Sequence, residues 1–218
     1  MYDSVILPKS YFVDLLKALA AMIEEQKDYL TGLDAAVGDS DHGVNLSIGF
    51  RDVMNKLPDL LAKDADIATL LSKSGMSLLA KVGGASGPLY GSFFRKMAAP
   101  VQGKNEVTFA EFCGMIKAGV DEIKRLGKAE LGDKTMVDAL SPAVDALYDG
   151  MEKGLPPVEV LEGAVKAAEA GRDAVVGLVA KKGRAMRLGE RAIGHVDPGT
   201  ASSCLILKVM LDEFKKIA

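Results

Sequence analysis

Apolar residues recur at spacings of three and four along almost the whole chain, and alternating strand-like runs are nearly absent. Over roughly residues 9–30, for example, Tyr11, Leu15, Leu19 and Ile23 follow one helical face. This spacing is typical of amphipathic helices that bury one apolar stripe. Together these stripes predict eight helices and no sheet. The predicted helical segments are roughly 9–30, a stretch after His42, 66–82, 88–99, 109–123, 134–151, 158–168 and 199–217.

The chain has enough apolar residues to form one core. It contains 218 residues, of which 49% are hydrophobic, so either a single domain or two tightly joined halves would fit. No repeat or low-complexity linker divides it, and Pro156-Pro157 is typical of a helix start. Alanine-rich stretches and glycines at helix edges allow close helix packing. We therefore expect one domain over residues 1–218, an all-α bundle or barrel.

Charge and cysteine content exclude several classes of protein. A net charge of −3 gives no overall attraction for nucleic acid or an anionic membrane. Cys113 and Cys204 match no metal-binding spacing, which favours buried free thiols in a reducing compartment. The beginning of the sequence lacks the features of a signal peptide, and the longest uncharged stretch, Val82–Phe94, is too short to cross a bilayer. These observations predict a cytoplasmic protein.

Three aspartates crowd a glycine-rich segment between the first two predicted helices. Asp34, Asp39 and Asp41 repel one another unless a cation neutralises them, and carboxylate oxygens are ligands that Mg²⁺ and Ca²⁺ prefer. An EF-hand loop beginning at Asp39 would need glycine at position 44 and glutamate at position 50. The chain has Val44 and Phe50 there. The segment therefore predicts a magnesium-type site, and the alternative is an acidic turn that caps the next helix.

A second glycine-rich segment, Gly83–Pro88, lies between two predicted helices. Small residues before a helix let backbone N–H groups approach an anion, and the helix dipole favours negative charge there. The segment lacks the Gly-Lys-Ser/Thr of a Walker A loop, and no strand precedes it as a dinucleotide fingerprint requires. Mg²⁺ commonly bridges carboxylates to phosphate. An acidic loop paired with this segment therefore indicates a phosphate-binding site, although such turns are often only structural.

Two later segments have the composition of site loops. Gly127–Met136 is polar and opens a helix, with Asp133 as a candidate N-cap. Residues 181–191 concentrate positive charge, which suits phosphate binding but is also typical of a solvated surface. Asp197 followed by Pro198 is an ordinary helix-start pattern. Both histidines, His42 and His195, fall in predicted loops rather than on helix faces.

Over essentially its whole length the chain resembles the nucleotide-binding L subunits of bacterial dihydroxyacetone kinases that are powered by the phosphoenolpyruvate phosphotransferase system. Several ordered blocks at family-like spacing carry the resemblance, which makes it far more specific than any one loop. The blocks are Leu30–Asp34, Gly38–Asn45, Gly83–Gly91, Gly132–Met136, Lys182–Ala185, Gly189–Arg191, Gly194–His195 and Asp197–Gly199.

The resemblance implies an eight-helix antiparallel barrel with a nucleotide site formed by interhelical loops at one end. It implies that Asp34, Asp39 and Asp41 bind two Mg²⁺ ions that hold the diphosphate of ADP or ATP, and that Arg184 is catalytic. The residues implied to contact the nucleotide are His42, Gly43, Val44, Asn45, Ala85, Ser86, Gly127, Met136, Arg184, Asp197, Pro198 and Gly199.

The resemblance also implies a division of labour between subunits. A phosphohistidine on a partner M subunit would phosphorylate resident ADP, and the phosphoryl group would pass to dihydroxyacetone on a separate K subunit. One alternative is a related sugar, ketose or fatty-acid kinase that exchanges free ATP; those relatives usually lack a histidine directly after the last aspartate, so His42 favours the first reading. A second alternative is a nucleotide-loaded co-regulator of a transcription factor. The least specific alternative is a helical scaffold that binds one metal ion.

Overall fold

The computed structural model describes residues 2–218 and is built from α-helices. Each of the eight segments that periodicity predicted to be helical forms a helix, and the all-α class is confirmed. Within these residues no helix is both long enough and apolar enough to cross a membrane. The helices are α1 (Lys9–Val37), α2 (His42–Ala62), α3 (Ile67–Lys81), α4 (Ser86–Ala98), α5 (Phe109–Gly127), α6 (Val137–Glu152), α7 (Pro157–Ala174) and α8 (Pro198–Phe214).

The eight helices form a closed ring. Each helix packs against the next one in the chain, and α8 packs against α1, which closes the barrel. Consecutive helices that pack along each other up and down a bundle run antiparallel. The α1–α2, α3–α4, α5–α6 and α7–α8 connections therefore share one end of the barrel, and residues from all four line the same cavity.

A small sheet at the opposite end corrects the prediction that the chain has none. Strand β1 (Ile6–Pro8) pairs antiparallel with β2 (Glu106–Thr108), and Leu7 faces Val107 in the register. Both of these side chains are buried. Strands of three residues are too short to show an alternating pattern. Their pairing depends on the barrel bringing the segments before α1 and α5 together.

Aromatic side chains from α1 and α5 fill part of the barrel core. The ring of Tyr11 lies edge-on to those of Phe12 and Phe112, with centroid distances of 5.1 and 5.5 Å. Its hydroxyl donates to the Met210 carbonyl at 2.9 Å, so the one polar atom of this buried ring is satisfied. The two cysteines, 113 and 204, are buried and free as predicted.

Helices α3 and α4 approach each other through glycine. A Cβ atom on Gly75 would lie 2.5 Å from the Gly91 carbonyl oxygen, and one on Gly91 would lie 2.8 Å from that of Gly75. Neither position can hold a larger residue without moving the helices apart. This contact fixes the α3–α4 connection, which carries the segment before Ser86.

Several helix boundaries differ from the prediction. Helix α1 extends to Val37, so Asp34 lies in its last turn rather than in a loop. Helix α4 begins at Ser86, two residues before Pro88. Helix α6 begins at Val137, and Asp133 is therefore not its N-cap. The predicted starts at Pro157 and Pro198 are confirmed.

Candidate functional site

A cavity of about 270 Å³ opens at the barrel end where the four connections meet. One side carries the acidic and glycine-rich segments that follow α1 and α3. The other side carries the connections that precede α6 and α8. Its lining residues are Asp34, Val37, Asp39, Asp41, His42, Asn45, Gly83, Gly84, Ala85, Ser86, Leu89, Ile123, Gly127, Ala129, Lys134, Thr135, Met136, Val137, Lys182, Gly183, Arg184, Ala185, Asp197, Pro198 and Gly199.

The three predicted metal ligands converge at one edge of this cavity. One carboxylate oxygen from each of Asp34, Asp39 and Asp41 lies within 4.8 Å of the other two. Asp34 is buried in the last turn of α1, and the other two lie in the short connection to α2. Oxygen donors of this kind are the ones that Mg²⁺ prefers. The residues present therefore fit a divalent cation.

Asp34 also stabilises the beginning of α2. Its Oδ2 accepts hydrogen bonds from the backbone N–H groups of Asp41 and His42, at 2.9 and 3.2 Å. A Cβ atom on Gly38 would lie 2.0 Å from Asp34 Oδ1, so only glycine allows the carboxylate this position. Asp41, at the N-cap position, makes no side-chain capping bond. Helix capping therefore explains the position of the Asp34 carboxylate but not the positions of those of Asp39 and Asp41.

Charge at the triad is only partly balanced by the protein. The Arg184 guanidinium lies 2.8 Å from Asp39 Oδ2 and is the cation paired with the triad. Burial raises the pKa of Asp41 above its usual value, and the neighbouring carboxylates of Asp39 and Asp34 add to this. A bound cation would remove that repulsion.

His42 lies between two serines and is neutral at pH 7. It is the first residue of α2, which corrects the prediction that it lies in a loop. Its Nδ1 is 3.1 Å from Ser86 Oγ, and its Nε2 is 2.9 Å from Ser202 Oγ. Burial lowers the pKa of the ring to about 4, although the Asp34 carboxylate opposes this shift. Both ring nitrogens thus have hydroxyl partners within the protein.

The glycine-rich segment before α4 turns its backbone toward the cavity. Gly84 has a φ of +64°, which L side chains rarely adopt. A Cβ atom on Gly83 would meet the side-chain amide of Asn45 at 2.9 Å. The first N–H groups of α4 have no partner within the helix, and an anion in the cavity would satisfy them.

Lys134 holds the opposite wall together from a buried position. Its Nζ donates to three backbone carbonyls of the α7–α8 connection: Ala192 at 2.7 Å, Leu178 at 3.1 Å and Val176 at 3.4 Å. Burial lowers the pKa of this ammonium. Three oxygen acceptors satisfy its three donors, which is the usual condition for burying a charged amine.

The start of α8 completes that wall. Asp197 is the N-cap, and its Oδ2 accepts from the Thr200 N–H at 2.7 Å. Burial raises the pKa of this carboxyl to about 7, and backbone hydrogen bonds oppose the shift. Pro198 and Gly199 follow in the first turn, with Gly199 close to Met136.

Most of the predicted site residues lie together, but Gly43 and Val44 do not line the cavity. A Cβ atom on Gly43 would lie 2.0 Å from the Lys27 carbonyl oxygen, so this glycine serves the packing of α2 on α1. The side chain of Val44 is exposed, as is that of His195, which also lies outside the lining.

The sequence interpretation assigned no role to several residues that line the cavity. Leu89, Ile123 and Val137 belong to apolar stripes, and periodicity does not distinguish a cavity wall from a core. Lys134 lies in one of the recognised blocks, but nothing in the sequence indicates its burial. Ser202 lies behind the cavity as a partner of His42, and the sequence offers a signal for it, since Ser202 and Ser203 are adjacent hydroxyls in a mainly apolar helix.

Comparisons with known proteins agree with this geometry. The DAK2 domain matches residues 36–212. The ADP-binding subunit DhaL of PEP-dependent dihydroxyacetone kinase 2 from Listeria innocua is 54% identical, over 98% of this chain and 99% of the relative. The corresponding DhaL subunit from Escherichia coli is 41% identical, over 94% of this chain and 96% of the relative.

The chain is also similar to one part of longer kinases. The dihydroxyacetone kinase of C. freundii, in a structure with AMP-PNP and Mg²⁺, superposes with a TM-score of 0.69 at 27% identity; the match covers 91% of this chain and 33% of that one. Human triokinase/FMN cyclase is 33% identical over 91% of this chain but only 34% of the relative.

Proposed function

Because this chain belongs to the DAK2 domain family, we propose that it is the ADP-binding L subunit of a phosphoenolpyruvate-dependent dihydroxyacetone kinase. In this proposal a phosphohistidine on a partner M subunit phosphorylates resident ADP. The phosphoryl group then passes to dihydroxyacetone on a separate K subunit. The observation that carries the proposal is the cavity itself, where a carboxylate triad, the start of α4 and Arg184 face one another.

The carboxylates and Arg184 would contribute to phosphoryl transfer in different ways. Asp34, Asp39 and Asp41 would hold two Mg²⁺ ions, which when bound neutralise phosphate charge and orient the nucleotide. Arg184 pairs with Asp39 across the mouth, and its side chain is 55% exposed. An exposed guanidinium at this place can meet a phosphoryl group brought by either partner.

The remaining lining residues suit the rest of a nucleotide. Ala85 precedes α4 and Ser86 is its first residue, at a place where backbone N–H groups favour phosphate. Leu89, Ile123 and Met136 give an apolar wall that suits a base. Gly199, in the first turn of α8, lies beside Met136 and closes the cavity on that side.

Full-length similarity to separate subunits supports the division of labour. The DhaL relatives match over nearly their entire length, whereas in the longer kinases a match to this chain leaves about two thirds of the relative uncovered. The competing hypothesis is a kinase subunit that exchanges free ATP, as part of one of those longer designs.

Mass spectrometry of nucleotide released from the purified, undialysed protein tests the resident cofactor. We expect about one ADP per chain, retained through gel filtration with Mg²⁺ and lost after EDTA. Recovery of a protein free of nucleotide that binds and releases ATP rapidly would favour the exchanging kinase.

An omission assay tests the subunits. Dihydroxyacetone phosphate should form from phosphoenolpyruvate only when this chain, a K subunit and the M subunit with its general phosphotransferase proteins are all present. Efficient product formation from this chain and ATP alone would overturn the subunit proposal.

A further inference from the structure

A chain of four hydrogen-bonding side chains runs from the barrel core to the cavity. The Tyr90 hydroxyl is 2.7 Å from Ser202 Oγ, which is 2.9 Å from His42 Nε2. On the far side of the ring, His42 Nδ1 is 3.1 Å from Ser86 Oγ. Tyr90 and Ser202 are buried and do not line the cavity, and the function proposed above gives them no role.

An imidazole held between two hydroxyls can carry its single proton on either nitrogen, and the position of that proton decides what Ser86 presents to the cavity. If Nε2 carries the proton, Nδ1 is an acceptor, and the Ser86 hydroxyl turns inward to donate to it. If Nδ1 carries the proton, the ring donates to Ser86 Oγ, and the serine proton is free to point into the cavity. Only in the second tautomer does the Ser86 side chain offer a donor to an anion.

The contacts at the buried end favour the second tautomer. Ser202 has one proton and three possible acceptors: the Tyr90 hydroxyl at 2.7 Å, His42 Nε2 at 2.9 Å and the Gly199 carbonyl at 3.2 Å. Because a phenol oxygen accepts more weakly than an imidazole nitrogen, Ser202 donates to the ring, and its Oγ accepts from the Tyr90 hydroxyl, whose nearest partner it is. All donors then point the same way, from Tyr90 through Ser202 and His42 to Ser86, and such chains strengthen cooperatively.

We propose that Tyr90 and Ser202 are positioning residues that fix the Nδ1-protonated tautomer of His42, and so direct the Ser86 hydroxyl proton into the cavity. Ser86 is the first residue of α4 and lines the cavity. Its hydroxyl would join the backbone N–H groups there as a donor to phosphate oxygen. The last step rests on the proposed nucleotide site, but the tautomer does not.

Nitrogen NMR of ¹⁵N-histidine-labelled protein tests the tautomer directly. The chain has only two histidines, so a His195→Gln variant assigns the spectrum. At pH 7, in protein stripped of nucleotide with EDTA and again with ADP and Mg²⁺, we expect His42 to carry its proton on Nδ1. A proton on Nε2 in the parent protein would overturn the proposal, whatever the variants do.

Ser202→Ala tests the role of the buried donor, with Ser203→Ala as its matched control. Ser203 Oγ lies 2.9 Å from the Tyr90 hydroxyl but is not a partner of His42. In Ser202→Ala the His42 proton should move to Nε2, and ADP·Mg²⁺ should bind roughly tenfold more weakly in calorimetry, as expected for loss of a hydrogen bond to a charged group. Ser203→Ala should keep both the tautomer and the affinity of the parent.

Tyr90→Phe is a milder second variant. It leaves Ser202 in place but removes the donor that orients it, so we expect a mixture of tautomers and a few-fold loss of affinity. Unchanged spectra in both Tyr90→Phe and Ser202→Ala would show that other groups set the tautomer. A parent protein with the expected tautomer but no affinity for ADP would contradict the proposed function and leave the tautomer assignment standing.

Discussion

The two connections that face each other across the cavity are built in different ways. The α1–α2 connection spans residues 38–41, and Asp34 fixes it by accepting from two N–H groups at the start of α2. The α7–α8 connection spans residues 175–197 and contains only 3-10 segments, Val175–Gly177 and Ala185–Ala192. A short link between two packed helices holds charge at a fixed place, whereas a long one can open at a low free-energy cost.

Arg184 and Asp39 are where the two connections meet. Their ion pair is 2.8 Å long, but the side chains are 55% and 35% exposed. Exposed pairs of this kind add little to stability. The contact therefore contributes little to holding the long connection in place. We infer that the short connection is responsible for binding and the long one for the reaction, and the following predictions test that division.

The largest effect is expected at the short connection, in Asp41→Asn and Asp39→Asn. Each variant removes a metal ligand and should abolish retention of ADP. The stabilisation that ADP and Mg²⁺ give the parent should disappear with it, because a ligand stabilises only the state that binds it. Thermal melts with and without ADP and Mg²⁺, together with nucleotide analysis, measure both quantities.

Asp59→Asn is the matched control, since Asp59 is an exposed carboxylate further along α2. It should bind nucleotide and melt like the parent. If Asp41→Asn and Asp39→Asn also still carry ADP and melt like the parent, the triad is a capping turn and the comparison between the connections fails.

Arg184→Ala is expected to separate reaction from binding. Turnover in the assembled system should fall roughly 10²- to 10³-fold, the range for removing one donor from a developing charge. Retained ADP should stay near the parent level, and the free energy of unfolding should change by less than about 1 kcal/mol. Arg187→Ala, an exposed arginine of the same segment outside the cavity lining, should keep normal turnover. Equal losses of ADP and of turnover in Arg184→Ala would count against the division.

His42, the first residue after the short connection, should make the protein sensitive to acid. Its pKa is about 4 in the folded protein and about 6.5 when unfolded, so below pH 6.5 the unfolded chain binds the extra proton. The part of the free energy of unfolding that is linked to His42 is therefore complete above pH 6.5. It is lost as the pH falls toward 4, by up to about 3 kcal/mol. Urea titrations of nucleotide-free protein should show a shallower loss in His42→Gln than in the parent. His195→Gln, at an exposed position in the long connection, is the matched control; identical slopes for all three proteins would refute the assignment.

The sequence predicts features that depend on nearby residues better than features that depend on distant ones. The helices follow from periodicity, because burying one stripe per helix is a local property of the sequence. Asp39 and Asp41 were identifiable because close like charges next to glycine need a neutralising partner. The acceptors of Lys134 were not, since they are carbonyls of residues 42 to 58 positions away, and any residue type could supply them. The β1–β2 pairing was missed for the same reason, as it depends on distant segments that the barrel brings together.

The smallest effect is expected from Lys134→Met, which loosens the long connection alone. Methionine keeps the length of the buried stem but cannot donate, so the carbonyls of Val176, Leu178 and Ala192 lose this partner. Unmet buried acceptors cost about 1–3 kcal/mol, so amide hydrogen exchange in residues 175–192 should accelerate roughly ten- to a hundredfold. Turnover should fall several-fold because Arg184 loses its position. Lys181→Met is the control, since that side chain is 63% exposed and makes only a 3.7 Å contact with Asp133. Exchange that accelerates equally in α1 and α2 would show that Lys134 stabilises the whole barrel, and the long connection would then not be an independently opening unit.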